Sequence, residues 1–325
     1  MERADYIIVG QGIAGILTAF KLIEKGRSVF LFDDEWPQNT ASQVSGAVLN
    51  PVNLKNGRSA FPNDSLGIAR KTYQRLEVFL KTTVLSEKPL IFFSKADAML
   101  NPFLSDLSDS EKDFLKAYFH GGLQYRKLNP VWQVNNKLLL KKWLAHFQNA
   151  KNFRKEKFQY ADCIFRKDEI IYQDISAGKI IFCEGATGKN NPFFPNLPFT
   201  KNRGNVLLLY IPGLPSDCIY HFKNRLIPMG CRQFWLGSNY QWNFNDLKPD
   251  LAWREKSLND LKSWLKIPFQ FQTHLVAERP TSAGQNVFLL QHTTFKNVFF
   301  FNGLGTKGFT LGPYFAAQLL KLLGE

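Results

Sequence analysis

The feature that most constrains this chain lies at its start. Gly10-Gln11-Gly12-Ile13-Ala14-Gly15 is set between a short apolar run, Tyr6-Ile7-Ile8-Val9, and a stretch with apolar residues at Ile13, Leu17, Phe20, Leu22 and Ile23. The run reads as a strand covered on both faces and the stretch as a helix, closing at Gly26 in a left-handed cap. Val29-Phe30-Leu31-Phe32 is a second buried strand that ends in Asp33, Asp34 and Glu35. Strand, glycine turn, helix and strand together form the βαβ unit that binds a dinucleotide. Gly10 permits the tight turn, Gly12 lets the backbone approach a pyrophosphate, and Gly15 lets helix and strand pack closely. The helix N-terminus, with Ile13 and Ala14 in its first turn, presents N–H groups to the phosphates. An acid roughly 20 residues further on completes the pattern by accepting from ribose hydroxyls. Asp33 is placed for that role, with Asp34 as the one-residue alternative.

The rest of the 325 residues are too many for one small domain, and 30 Phe and 7 Trp supply a large core, which excludes a disordered chain. Apolar periodicity predicts helices over residues 65–80, 135–147, 258–265 and 314–323, the second of them basic and carrying Lys141 and Lys142. Residues 158–182 read as a β-meander, and 206–211, 226–228, 234–237 and 298–301 as strands; 90–126 reads as mixed loops. The fold class expected is α/β: a discontinuous Rossmann-type domain built from residues 1–82, 133–200 and 287–325. A mixed-sheet α+β substrate domain, residues 83–132 and 201–286, is inserted into it.

A net charge of +14 favours an anionic partner: a dinucleotide, an acidic substrate, nucleic acid or a membrane surface. The basic residues are spread out, and no aromatic-basic RNA module is present. The 4 cysteines, Cys163, Cys183, Cys218 and Cys231, show no paired spacing, which points to a reducing cytoplasm. The chain opens Met1-Glu2-Arg3-Ala4-Asp5 without a signal-peptide pattern, and no apolar stretch approaches the ~18 residues of a membrane span. The 5 histidines are scattered singly, so no metal site is expected.

The glycine motif alone does not separate FAD from NAD(P). Four segments together resemble the FAD-dependent family that includes D-amino acid oxidase, glycine oxidase and sarcosine oxidase. The first is the glycine motif with Asp33. The second, Ala41-Ser42-Gln43-Val44-Ser45-Gly46-Ala47-Val48-Leu49-Asn50-Pro51, resembles the small-residue loop that runs past the flavin, with Ser42, Gly46 and Ala47 small enough to admit a ring system. The third, Ile180-Ile181-Phe182-Cys183-Glu184-Gly185-Ala186, resembles the family's second FAD motif, which has a small residue and Thr where this chain has Cys183 and Glu184. The fourth runs Phe301-Asn302-Gly303-Leu304-Gly305-Thr306-Lys307-Gly308-Phe309-Thr310 and on to Pro313 before a terminal helix. It resembles the C-terminal loop that faces the pyrimidine end of the flavin, where backbone donors stabilise the reduced form. The resemblance therefore implies an FAD site that includes Gly185, Ala186, Gly303, Gly305, Thr306, Lys307, Gly308, Phe309 and Thr310.

On the substrate side, Val276-Ala277-Glu278-Arg279-Pro280-Thr281-Ser282 resembles the family's Arg-Pro segment, in which the Arg clamps a substrate carboxylate. A surface Arg279 paired with Glu278 is the alternative. Tyr240 and Tyr220 are candidates to hydrogen-bond the substrate. The oxygen-activating lysine of the sarcosine-oxidase branch falls at Trp235, its carboxylate-binding lysine at Thr310, and its flavin-attaching cysteine at or next to Glu278. The resemblance thus implies a non-covalent flavin and leaves oxidase and dehydrogenase both open. The loops Ser45-Gly46-Ala47-Val48-Leu49-Asn50-Pro51 and Leu304-Gly305-Thr306-Lys307-Gly308 and the run Ala69-Arg70-Lys71-Thr72-Tyr73 resemble more closely the FAD half of the bifunctional tRNA 5-methylaminomethyl-uridine enzyme. The function expected is oxidation of a C–N bond in an amine or amino-acid-like small molecule. A tRNA partner is the less favoured alternative, and a flavin-binding protein without turnover, or an NAD-binding dehydrogenase, is the competing class.

Overall fold

The computed structural model describes residues 1–34, 39–50, 64–94 and 103–325; Glu35 and Pro51, named above, lie outside them. Strand β1 (Glu2–Val9) leads through helix α1 (Ile13–Ile23) to strand β2 (Val29–Asp33). The two strands pair in parallel with Ile7 opposite Phe30. On its other side β1 pairs in parallel with Ile175–Phe182, Ile7 opposite Ile180. The latter strand is shared along its length. Its first half closes the antiparallel meander of Cys163–Phe165 and Ile170–Tyr172, and its second half pairs in parallel with Val298–Asn302. Three neighbouring strands therefore end side by side, and a glycine with positive φ follows each: Gly10 (+97°), Gly185 (+59°) and Gly303 (+81°). Ligands of open parallel sheets bind beyond such carboxyl ends.

Side-chain alternation gives this sheet two buried faces. Ile8, Leu31, Ile181 and Phe299 lie under α1 and the helices Ser65–Leu80, Asn136–Asn149 and Gly308–Leu323. Ile7, Phe30, Ile180 and Phe300 face the meander aromatics Phe158 and Tyr172. The terminal helix starts at Gly308, earlier than the predicted residue 314, and contains Pro313. Proline has no N–H for the carbonyl four residues back. Here that carbonyl, of Phe309, accepts from the Tyr73 hydroxyl instead, at 2.9 Å, so the helix passes through the proline with the acceptor satisfied.

A second eight-stranded sheet has the order Gln270–Glu278, Arg203–Tyr210, Gln233–Gly237, Arg225–Gly230, Ile219–His221, Leu90–Ser94, Gln124–Leu128, Leu104–Asp106. Its first strand and its last four were not legible as strands; the described residues of 90–126, a stretch read from the sequence as a mixed pattern with acidic and polar loops, supply three of them. They also hold a helix, Asp109–Lys116, opened by a reciprocal cap between Ser108 and Glu111. The helix predicted at 258–265 is Leu251–Lys262, because Asp250 accepts from the Trp253 N–H and starts it earlier. One face of this sheet (Leu207, Leu209, Phe234, Leu236) buries Leu261 and Trp264. The other (Val206, Leu208, Ile227, Trp235) turns towards Val44 of the first unit.

A short sheet of Val48–Leu49, Trp132–Val134 and Leu85–Glu87 joins the two. Residues 41–47, which lie between the large sheets, are fixed by two buried side chains. Asn136 Nδ2 donates to the carbonyls of Ser42, Gln43 and Ser45 at 2.8, 2.9 and 3.0 Å, and the Trp235 indole N–H donates to Val44 O at 2.7 Å. Among the described residues no helix is long and apolar enough to cross a membrane, and no cluster of metal-ligating side chains is found.

Candidate active site

The three glycines of the first turn serve different ends. A Cβ on Gly10 would stand 2.4 Å from the Cys183 carbonyl oxygen, and one on Gly15 would stand 1.9 Å from the Gly10 oxygen. Both glycines are therefore demanded by the packing of the protein on itself. Gly12 is not: its φ is −69°, and a Cβ there would meet only the Ser42 hydroxyl, at 3.2 Å. A glycine that the fold does not need leaves open backbone at the N-terminus of α1, the space a pyrophosphate would take. The Ser42 hydroxyl accepts from the Ile13 N–H at 3.0 Å and so marks the edge of that space. Ala14 packs partly buried against the core under α1.

Asp33 ends β2, and its carboxylate accepts the Gln11 N–H at 2.6 Å. Burial pushes this carboxyl up to about 7, against the pull of that N–H and with the Asp34 charge adding to the rise. Asp34 itself is exposed. Beyond the second strand, Cys183 is buried against Gly10 and Gly15, and burial pushes its thiol up to about 12, so it is an inert packing group. Glu184 accepts from the Tyr160 hydroxyl at 2.5 Å and from Asn191 Nδ2 at 2.8 Å. The two residues that depart from the family pattern are thus tied into the fold below the turn. Gly185 and Ala186 follow, with Asn302 Nδ2 donating to Gly185 O at 2.9 Å and Asn302 Oδ1 accepting from Gly303 N at 2.9 Å. One buried side chain therefore sets two of the three glycine turns against each other.

The C-terminal loop is joined to the Arg-Pro segment by Gly305 N–H donating to Pro280 O, 2.8 Å. Thr306 is exposed; Gly308, Phe309 and Thr310 are buried, and the Thr310 hydroxyl donates to Val48 O at 3.4 Å. Lys307 is partly buried, and burial together with the Arg225 charge lowers its pKa to about 8. Gly46 and Ala47 lie where the two units meet. A Cβ on Gly46 would stand 2.4 Å from Ile227 Cδ1, so the second sheet also bears on the size of this residue.

Arg279 is not a surface residue paired with Glu278, whose carboxylate meets Lys189 instead at 3.2 Å. Its guanidinium donates to Asn202 Oδ1 (2.8 Å), Ser238 Oγ (2.7 Å) and Asn239 O (3.1 Å). Tyr240, 56% exposed, lies with its ring centroid 5.0 Å from the same group. These partners are all uncharged, and burial lowers the Arg279 pKa. Gly204 makes room for the guanidinium, since a Cβ there would stand 1.9 Å from Nη2. Sequence reasoning missed Gly204, Ser238 and Asn239; only a glycine inside the strand Arg203–Tyr210 was a readable signal of close approach. The other tyrosine is a correction. Tyr220 is 1% exposed on the helix-covered face of the second sheet, and its hydroxyl donates to Pro215 O, so it does not reach the site. Trp235 is buried with its N–H on Val44, on the face that Arg279 shares.

The family model described as FAD dependent oxidoreductase matches residues 5–322. The chain belongs to that family. FAD is its cofactor, and the open backbone at Gly12 beside the α1 N-terminus fits the pyrophosphate of that molecule. Solved structures share the fold at low identity. Glycine oxidase from Geobacillus kaustophilus superposes with a TM-score of 0.81 at 15% identity, covering 100% of this chain and 95% of that one. Iminodiacetate oxidase from Chelativorans sp. BNC1 gives 0.77 at 16%, covering 98% and 95%, and L-proline dehydrogenase from P. horikoshii gives 0.75 at 11%, covering 99% and 93%.

Gly12→Val is expected to fold and to lose FAD, while Gly15→Ala is expected to lower the melting temperature, because its Cβ has no room against Gly10. Flavin-to-protein absorbance and thermal melts of both variants check this; stoichiometric flavin in Gly12→Val would refute the pyrophosphate assignment. A second expectation concerns pH. The ionised Asp33 is the better acceptor for ribose hydroxyls, so binding favours proton release, and FAD affinity should fall about tenfold from pH 8 to pH 6 around a pKa near 7. Titration of the apoprotein with FAD checks it, and the same slope in Asp33→Asn would contradict it.

Proposed function

We propose that the chain oxidises the C–N bond of an amine or amino-acid-like substrate, with Arg279 holding the substrate carboxylate. FAD is proposed to lie along the turn of residues 10–15, Asp33, Ser42 and the loops that begin at Gly185 and Gly303. The observation that carries this reading is a partly buried guanidinium whose partners among the described residues are all neutral. Such a charge is costly unless an anion joins it. Asn202 takes one Nη1–H and Ser238 and Asn239 take the Nη2 donors, which leaves Nε–H and one Nη1–H, either of which can meet an incoming anion. The solved structures named above as oxidases of glycine and iminodiacetate and as a dehydrogenase of L-proline support an amine next to a carboxylate.

Bound FAD would supply the two-electron acceptor for a hydride from the substrate carbon, whose bond to nitrogen would become C=N. The protein's part is to bind and orient. Arg279 fixes the carboxylate, Tyr240 covers the guanidinium, and Trp235 supplies an apolar wall between the sheet and residues 44–47. An amine that binds neutral needs no protein base for hydride loss. Trp235, with its N–H already engaged by Val44, brings no charge to that wall.

Arg279→Lys and Gly204→Ala should both retain FAD. Each should raise KM for an amino-acid substrate by about tenfold or more, the first because a point charge replaces a planar fork, the second because the new Cβ displaces the guanidinium. Anaerobic flavin reduction by glycine, sarcosine and larger amino acids measures this. Unchanged reduction in both variants would remove Arg279 from the site.

A tRNA substrate is the second reading, favoured by the net charge of +14 and by the exposed Lys141 and Lys142 on the helix Asn136–Asn149. RNA binding releases counterions, so affinity would fall log-linearly with salt and the slope would flatten in a Lys141→Gln, Lys142→Gln variant. A gel-shift titration with bulk tRNA at low and near-physiological salt decides. Tight binding that survives the higher salt supports the RNA; its absence supports the small molecule.

A further inference from the structure

Arg279 is not the only cation on its side of the second sheet. Arg225 opens the strand Arg225–Gly230, two positions from Ile227, and so stands on the same face as Ile227 and Trp235, the face turned towards Val44. Arg279 lies two positions beyond Ala277 of that same cluster. The two guanidiniums also flank one short piece of chain. Arg225 is registered opposite Gly237, and the next two residues, Ser238 and Asn239, hold Arg279. Tyr240, directly after them, is the one charged or titratable neighbour whose field both arginines feel. Among the described residues no carboxylate forms an ion pair with either. Two arginines that no described carboxylate pairs with, on one sheet face, form a positive wall larger than one carboxylate needs. Structural arginines normally meet acids, so a cluster left cationic points to an anionic ligand of matching charge.

We propose that Arg225 is a second anion-binding residue and that the substrate is an amine carrying two carboxylates, one held by Arg279 and the other by Arg225. This rests on the amine-oxidation reading. It further specifies an amino dicarboxylate or an N-carboxymethyl amino acid in place of a simple amino acid.

Binding and turnover test it separately. Calorimetric titration of the FAD-loaded protein with acetate and with malonate, succinate and glutarate should show at least one dicarboxylate binding tenfold or more tighter than acetate. Arg225→Met should erase that advantage and leave acetate binding in place. Arg225→Lys should keep part of it, which separates loss of charge from loss of fold, with flavin content as the control. No preference in the unaltered protein, or an undiminished preference in Arg225→Met, would overturn the proposal. Anaerobic flavin reduction by aspartate and iminodiacetate, compared with glycine and sarcosine, provides the second readout. Faster reduction by the dicarboxylates supports the assignment. If glycine and sarcosine reduce the flavin equally well, only the second site falls. If none of the four reduces it, the amine-oxidation reading falls and the substrate assignment falls with it.

Discussion

The site depends first on the close approach of two backbones. Gly10 leaves β1 directly against the Cys183 carbonyl, and Gly15 brings α1 down onto Gly10, so that strand, turn and helix are locked without a side chain between them. Everything presented at the carboxyl ends of the parallel strands inherits its position from that contact. Asn302 extends the same constraint sideways by joining the turns at Gly185 and Gly303. Cys183 and Glu184, which look like departures from a binding motif, are better understood as part of this foundation. One packs under the glycines, and the other is held by Tyr160 and Asn191.

The second unit is organised around the opposite problem, a charge that no carboxylate among the described residues neutralises. Arg279 is held by an amide, a hydroxyl and a carbonyl and given room by Gly204, while fully buried Asn205 fixes Asn239 by donating its backbone N–H to Asn239 Oδ1 at 2.8 Å. Neutral acceptors orient a guanidinium without cancelling its field, and that is the arrangement expected where a substrate anion is to supply the missing charge. The Trp235 and Asn136 hydrogen bonds to residues 42–45 bring this sheet face against the first unit, so the two units meet along one seam.

Much of the first unit was legible because its signals are local. A six-residue glycine pattern, the apolar runs around it and an acid at the end of β2 identify a turn without any knowledge of distant partners. Even there one demand was hidden: Gly46 also faces Ile227 Cδ1 across the seam. The second unit was less legible because its contacts cross the chain. Nothing near Arg279 in sequence announces Gly204 or Asn202. Tyr220 and Tyr240 were equivalent candidates until strand alternation put one into the helix-covered core and left the other over the guanidinium. The strand Gln270–Glu278 hid behind an exposed, polar first half. The helix Asp109–Lys116 did carry a readable Ser-x-x-Glu cap. The terminal helix looked late because Pro313 reads as a breaker, and only the Tyr73 hydroxyl, from a helix far away in sequence, makes it tolerable.

In the proposed function, a carbon bearing nitrogen and held by its carboxylate gives a hydride to FAD at the seam between the sheets. The most direct test is anaerobic stopped-flow of the FAD-loaded protein with ordinary and α-deuterated amino-acid substrates, following flavin absorbance. Bleaching of the flavin, slowed severalfold by deuterium, is the expected result. A flavin that stays oxidised with every amine offered, or bleaches at a rate indifferent to deuterium at the α-carbon, would contradict it.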